Sequence, residues 1–342
     1  MSEQPTDKFV PYLVAGRLTK DTILPATGNP ALGIPGGSAL YAASGLALWN
    51  ERPGLIARVP PGYPQEWVEA AARKGFDVRG IHRADEAFDE RAFFAYGRDG
   101  TPEYGFPMFR FAERGLSFPQ ELLGYTGLER SPTEKGGVPL AQSLAPGDIP
   151  SAYLDAHAAH IGPLDLKSVR LLCTALPQGL VRTLTLDPDD SLLDPLQRET
   201  LGSLLNGLTA LICSEDRLRS YFSGLTSDLW ELAASLAEQG CEAVVVWRGT
   251  KASLLYVGRN DRRYVIPAYT VTPKDPTGAE DAFCGGFLAG YQKAFDFVEG
   301  CLYGAVSAAF AMEGTGPFYM LDALPGLAEH RLEALRGGVR RI

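Results

Sequence analysis

The sequence predicts an α/β protein, three α/β/α layers around a mainly parallel central sheet with a small β-rich lid. Short β-branched or aromatic runs alternate with helical patterns along most of the chain, the signature of strand–helix–strand units. The 342 residues suffice for one large α/β domain, and no linker, repeat or low-complexity tract divides positions 1–342. The segments near 17–35 and 88–115 break the alternation and are richer in Gly, Pro and aromatic residues, as a cover over one end of the sheet would be.

Each element has its own cue. "YLVAG" is a first strand, "SALYAASGLALW" a helix and "GLIARV" (54–59) the next strand. "EWVEAAARKG" (66–75) has helical spacing and stops at a glycine. "FFAYGRDGTPEYGFPMFRF" reads as a hairpin turning on Asp99 and Gly100. Strand "AHIGP", helix "LKSVRLLCTAL", strand "VRTLTLD", helix "PLQRETLGSLLNGL" and strand "TALICS" follow. Two helical patterns lead through "DLWELAASLAEQG" to strand "AVVVW" (243–247), then "SLLYVG" and "RYVIPAY" form a closing hairpin. Helices from Ala279 to about Tyr291 and from about Phe297 to Met312 end the pattern.

Composition narrows the function classes. Hydrophobic residues make up 45% and charged residues 21%, ordinary for a globular protein. A net charge of −9 argues against a nucleic-acid partner, because phosphate backbones are held by clustered Lys and Arg. Five widely spaced cysteines without a CxxC read as reduced thiols, and no basic-then-apolar leader or membrane-length apolar run is visible. A cytoplasmic protein without a membrane partner is expected. GxxxxGK[ST], a GxGxxG after a strand, HExxH and GxSxG are all absent. His157 and His160 in "DAHAAH" could meet on one helical face, but they have no further ligand at metal spacing and read as packing or surface residues.

The chemistry concentrates in "DPTGAEDAFCGGFLAGY", residues 275–291. A strand-like run precedes it and a helix of small and apolar residues follows. Helix N-termini present unpaired N–H groups and partial positive charge, which suits a phosphate or a developing oxyanion. Thr277 is expected as the N-cap, and Gly278 and Ala279 would let the backbone approach an anion. Asp281 in the first turn could take the proton of an attacking hydroxyl.

This stretch resembles the C-terminal signature of the ribokinase/PfkB-type carbohydrate kinase family, D-T-x-G-A-G-D-x-F. "GRLTKDTIL" looks like the family's first strand with its substrate-binding aspartate, here Asp21. "GGSALYAASGLALW" is similar to its paired-glycine segment, and "VVVWRGTKASLLY" to the strand and glycine turn beside the nucleotide. The resemblance implies a ribokinase-like fold and transfer of the ATP γ-phosphoryl group, with Mg²⁺, to a hydroxyl of a small sugar, nucleoside or polyol. It implies Asp281 as base and the N–H groups of Gly278, Ala279, Glu280 and Asp281 as an anion hole. It places Asp21, Gly36, Gly37 and Tyr41 on the acceptor, and Ser214, Arg217, Gly249 and Thr277 near the nucleotide. It leaves the metal ligands unassigned and makes a homodimer through the lid an expectation.

Three positions depart from the family pattern. Glu280 replaces the second Gly of G-A-G-D, and a carboxylate ~4 Å from a phosphate oxygen would repel it by roughly 4 kcal/mol, about three orders of magnitude in rate. "CSEDRL" stands where the family has N-x-x-E, with Ser214 for the Asn and Arg217 for the Glu; Glu215 or Asp216 is the nearest substitute carboxylate. An ion pair between Glu280 and Arg217 would explain both changes. Tyr41 replaces an Asn over the acceptor, where it could stack on a ring or pack within its helix. "RVPPGYPQE" also replaces an acidic G-D-D-x-x-G stretch. An alternative function is therefore a catalytically impaired protein of the same fold that binds a ligand or partner.

Overall fold

A computed structural model describes residues 9–103, 105–127, 140–194, 198–223 and 226–342. The first unit runs β1 (Tyr12–Ala15), β2 (Thr19–Leu24), β3 (Ala31–Gly36), α1 (Ser38–Ala47), β4 (Pro53–Val59), α2 (Gln65–Arg73) and β5 (Asp77–Arg83). β6 (Arg91–Ala95) and α3 (Pro107–Glu113) follow. The alternating part comprises β7 (Ala158–Ile161), α4 (Leu166–Ala175), β8 (Thr183–Leu186), α5 (Arg198–Leu205), β9 (Ala210–Ser214), α6 (Glu215–Tyr221), α7 (Leu229–Ala237) and β10 (Ala243–Trp247). β11 (Ser253–Val257), β12 (Arg262–Ile266), α8 (Ala279–Ala294), α9 (Phe297–Met312), α10 (Leu327–Arg336) and β13 (Arg340–Arg341) complete it.

The large sheet has the order β13-β12-β11-β10-β9-β8-β7-β1-β4-β5. It is parallel from β5 to β10, and the β11–β12 hairpin and β13 extend it antiparallel. Side chains alternate between its faces with the period of two that a strand imposes. On β10, Val244 and Val246 join the core beneath α4, α5 and α7, whereas Ala243 and Val245 join the core beneath α8, α9 and α10. Both faces are thus covered, as a parallel sheet requires.

The lid is a three-stranded sheet in the order β3-β2-β6, where the two irregular segments were expected to lie. Asp21 sits on β2 of this sheet and not on the first strand of the large one. The hairpin expectation holds only in its turn: Asp99 caps Gly97–Thr101, and the returning limb makes one bridge, Tyr96 with Pro102. "PMFRF" then folds as α3 with Pro107 in its first turn, where a missing N–H costs nothing. Tyr104, within that expected limb, and 195–197, the start of the helix expected before β9, lie outside the described residues. "DAHAAH" leads into a strand, so His157 and His160 share no helical face; His160 is buried against Thr185 and His157 is exposed. Among the described residues no helix is long and apolar enough to cross a membrane.

Two helices cross where the site forms. A Cβ on Gly285 of α8 would fall 1.8 Å from the carbonyl oxygen of Ala42, and one on Gly45 of α1 would fall 2.2 Å from that of Ala282. The hydroxyl of Ser307 donates to the Gly45 carbonyl at 2.9 Å and accepts from Trp49 Nε1 at 3.0 Å, pinning α1 to α9 as well. Either Gly45→Ala or Gly285→Ala should lower stability by about 1–3 kcal/mol, since backbone must move to admit one methyl group. Gly62→Ala, whose Cβ would meet nothing within 4 Å, should stay within roughly 0.5 kcal/mol of the parent when all three variants are unfolded by urea titration.

Candidate active site

The carboxyl ends of the parallel strands open toward the lid, the side on which open α/β sheets bind ligands. Residues 276–279 form a tight turn closed by the Ala279 N–H on the Pro276 carbonyl at 3.1 Å. Its third residue, Gly278, has φ 70° and ψ 8°, the left-handed conformation a type II turn demands there. α8 begins at once, with Glu280 and Asp281 in its first turn. Thr277 is not the N-cap. Gly278 holds that place, and the Thr277 hydroxyl donates instead to the Tyr96 phenol of the lid at 3.0 Å. The Thr277 N–H in turn goes to Asp275.

The expected anion hole is narrower than four amides, because that of Ala279 is spent on the turn. The N–H groups of Gly278, Glu280 and Asp281 have no backbone acceptor among the described residues. They edge a cavity of about 530 Å³ bordered also by Ser214, Trp247, Gly249 and the lid's Tyr96 and Asp99. Gly249, at φ 63°, presents an open flank to it, since a Cβ there would meet nothing within 4 Å. This volume lies within the range of small-molecule sites.

Arg217 and Glu280 are in direct contact, as their joint departure from the family pattern predicted. The guanidinium also binds Asp187 at 2.7 Å, the Pro188 carbonyl at 2.6 Å and Ser214 Oγ at 3.1 Å. Burial opposes its charge, but Asp187 and Glu280 outweigh burial and hold it protonated. Asp187, directly after β8, escaped the sequence reading; the available signal was a carboxylate at a strand's carboxyl end in "LDPDD". Glu215 and Asp216 both line the cavity, and Glu215 is engaged by Arg219 and Arg248, each at 2.7 Å.

Asp281 borders the same cavity. Burial first and the Glu280 charge second raise its carboxyl to about 7, with Arg217 pulling the other way. A carboxylate so poised exchanges a proton near neutrality, as a general base must. Asp21 is fully buried with one oxygen 2.5 Å from the Thr19 hydroxyl, and burial pushes it to about 7 as well. Gly36 lies against it so closely that a Cβ would meet Asp21 Oδ2 at 1.8 Å, and Gly37 packs on the Arg17 carbonyl. The ring of Tyr41 covers Gly278, where a Cβ would fall 2.0 Å from its Cγ. The structure therefore gathers the acceptor-side residues named from sequence, but Asp21, Gly36, Gly37 and Tyr41 border no part of the cavity. Thr277 and Arg217 stand directly behind its wall.

Family comparison matches residues 151–323 to the pfkB family of carbohydrate kinases. The chain belongs to that family. A cytidine kinase of Thermococcus kodakarensis is 27% identical over 284 residues, 82% of this chain and 88% of its relative. A nucleoside kinase of Methanocaldococcus jannaschii is 37% identical over 76 residues, 22% of this chain and 24% of that one. Among solved structures, a nucleoside kinase of Burkholderia thailandensis in complex with inosine superposes with a TM-score of 0.65 at 18% identity, covering 95% of this chain and 99% of the other. A candidate ribokinase II of E. coli in complex with ATP and Mg²⁺ gives 0.66 at 18% identity, with coverages of 95% and 99%. These structures share the ribokinase-like fold.

Two titrations test the electrostatics. Followed by carboxyl ¹³C NMR, Asp281 should titrate near pH 7, lower in Glu280→Gln and higher in Arg217→Gln; coincident curves would contradict the arrangement. Asp21 is raised from 3.8 unfolded to about 7 folded, so its contribution to stability is complete below the first value and lost as pH rises through the second. Asp21→Asn should therefore melt several degrees above the parent at pH 8 and gain less at pH 5.

Proposed function

We propose that the protein is an ATP-dependent kinase that phosphorylates a hydroxyl of a small molecule, with a nucleoside as the favoured acceptor. The observation that carries this reading is Asp281 at the start of α8, poised near neutrality on a cavity edged by free backbone N–H groups. The kinship with a cytidine kinase and a nucleoside kinase supports the acceptor class.

The residues fit the chemistry as follows. ATP would supply the γ-phosphoryl group, and the amides of Gly278 and Glu280 would hold its transferring oxygens. Asp281 would accept the acceptor's proton as the hydroxyl oxygen bonds phosphorus; the bond to the bridging oxygen breaks and ADP leaves with the electron pair. Among the described residues no three His, Cys, Asp or Glu side chains gather as metal ligands. Mg²⁺ would accordingly be carried on the nucleotide's own phosphates, where it supplies charge neutralisation. Arg217, by offsetting part of the Glu280 charge, would weaken that carboxylate's repulsion of the phosphate.

A second reading, a ligand-binding protein without phosphoryl transfer, is favoured by the Tyr41 ring lying over Gly278. Purified protein assayed with ATP and a panel of cytidine, uridine, adenosine, inosine, ribose and glycerol separates the two. The kinase reading expects at least one phosphorylated product, with Asp281→Asn reducing kcat by about 10²-fold or more while nucleotide affinity persists. No product from any acceptor, with nucleotide still bound, would favour the second.

The lid also supports pairing of two copies. Phe106, Met108, Phe109 and Leu123 are exposed on it by 83, 62, 58 and 64%. Light scattering should find a dimer, and Phe106→Asp combined with Phe109→Asp should shift it to monomer.

A further inference from the structure

The acceptor side has its own cavity, of about 270 Å³, bordered by Arg17, Thr19, Arg58, Phe88, Glu90 and Gln142. It shares no lining residue with the 530 Å³ cavity that holds Asp281. The wall between them is traceable. Thr19 borders the acceptor cavity and bonds Asp21, which is fully buried. Tyr41, 2% exposed and within electrostatic reach of Asp21, Asp275 and Asp281, lies on Gly278, which borders the other cavity.

That wall is poorly satisfied. The Tyr41 phenol oxygen, Asp21 Oδ2 and Asp275 Oδ2 are buried without a hydrogen-bond partner. Leaving such a group unmade costs about 1–3 kcal/mol each. Three unpartnered polar atoms along one partition are matched by the hydroxyls of a polyol, which offer donors and acceptors on adjacent carbons.

We propose that Tyr41 is the partition that sets acceptor choice: a hydroxyl reaches Asp281 only by turning the phenol off Gly278, and the phenol oxygen then hydrogen-bonds the entering substrate. This deepens the kinase reading and rests on it. A slender arm, such as the hydroxymethyl group of a ribose, fits this passage, while its base would remain in the outer cavity against Phe88. Water alone cannot compensate the displaced ring, so ATP is protected from hydrolysis until an acceptor is seated. Tyr41 acts here as a specificity and positioning residue.

The test compares wild type, Tyr41→Phe and Tyr41→Ala, measuring transfer to cytidine and phosphate release from ATP without acceptor. Tyr41→Ala should raise the ratio of hydrolysis to transfer at least tenfold and admit acceptors that wild type refuses. Tyr41→Phe should keep that ratio low but raise the acceptor KM about 3- to 10-fold with a smaller change in kcat, the loss of one hydrogen bond. Unchanged ratio and acceptor range in a folded Tyr41→Ala, or an unchanged KM in Tyr41→Phe, would overturn the proposal. If wild type transfers phosphate to no acceptor, the kinase reading has failed and calorimetry with cytidine decides the partition by itself. Cytidine bound at least fivefold more tightly by Tyr41→Ala and about 3- to 10-fold more weakly by Tyr41→Phe than by wild type supports it, and any other order of affinities removes it.

Discussion

The site depends on how closely α1 and α8 approach. Gly45 and Gly285 meet the opposite backbone where no side chain fits, which fixes both the separation and the register of the two helices. Tyr41 stands four residues before Gly45, and Asp281 four residues before Gly285. A spacing of four keeps residues on one helical face, so the crossing carries both functional side chains toward the same place, one turn nearer each N-terminus. Ser307 and Trp49 extend the same lock to α9. A side chain placed this way is held by main-chain contact on a rigid element, which positions it more tightly than a loop would.

Acidic charge is the second constraint. Asp187 and Glu280 bind one guanidinium, that of Arg217, which also acts on Asp281, while Asp21 adds its own charge to that on Asp281. Burying carboxylates at this ratio is unfavourable, and the protein answers it in two ways. Asp187 and Glu280 take the guanidinium and stay paired, while Asp21 and Asp281 retain protons to about pH 7. Burial raises the Asp187 carboxyl as well, with Arg217 opposing it, so it is position that separates Asp187 from Asp281: the guanidinium holds Asp187 away from the cavity, whereas Asp281 borders it. Arg217 spends its donors on Ser214, Pro188, Asp187 and Glu280, so in the proposed reaction it would act on a phosphate through the charge it offsets.

Much of this was legible in the sequence because it is local. Strand–helix alternation gave the layers, and 275–283 gave the turn, the helix start and Asp281 within a few consecutive residues. The Glu280–Arg217 pair was legible as two departures that made sense only together. What escaped depends on distant partners. Thr277 has the chemistry of an N-cap, but Tyr96, 181 residues away, takes its hydroxyl and leaves the cap to Gly278. "PMFRF" has strand-like composition, yet Pro107 suits a helix start and the lid supplies no strand for it to pair with. Tyr41 could not be told apart from a stacking or packing residue until Gly278 was placed beneath it.

The paired change at 217 and 280 bears on how such a site can alter without losing its chemistry. Glu280 alone would add a carboxylate beside the phosphate position, and Arg217 alone would leave Asp187 as its one acidic partner beside an amide-lined pocket. Removing one member of this partly buried pair leaves the other charge behind unpaired, which is unfavourable. The intact pair offsets part of the Glu280 charge, which still raises Asp281 more than Arg217 lowers it, and leaves the Glu280 amide without a backbone acceptor, so the turn keeps the hydrogen-bond donor that a glycine there would offer. Under the proposed reaction, discrimination would fall to the acceptor side of the cleft, where a phenol ring, and not an ion, lies between Asp21 and Gly278.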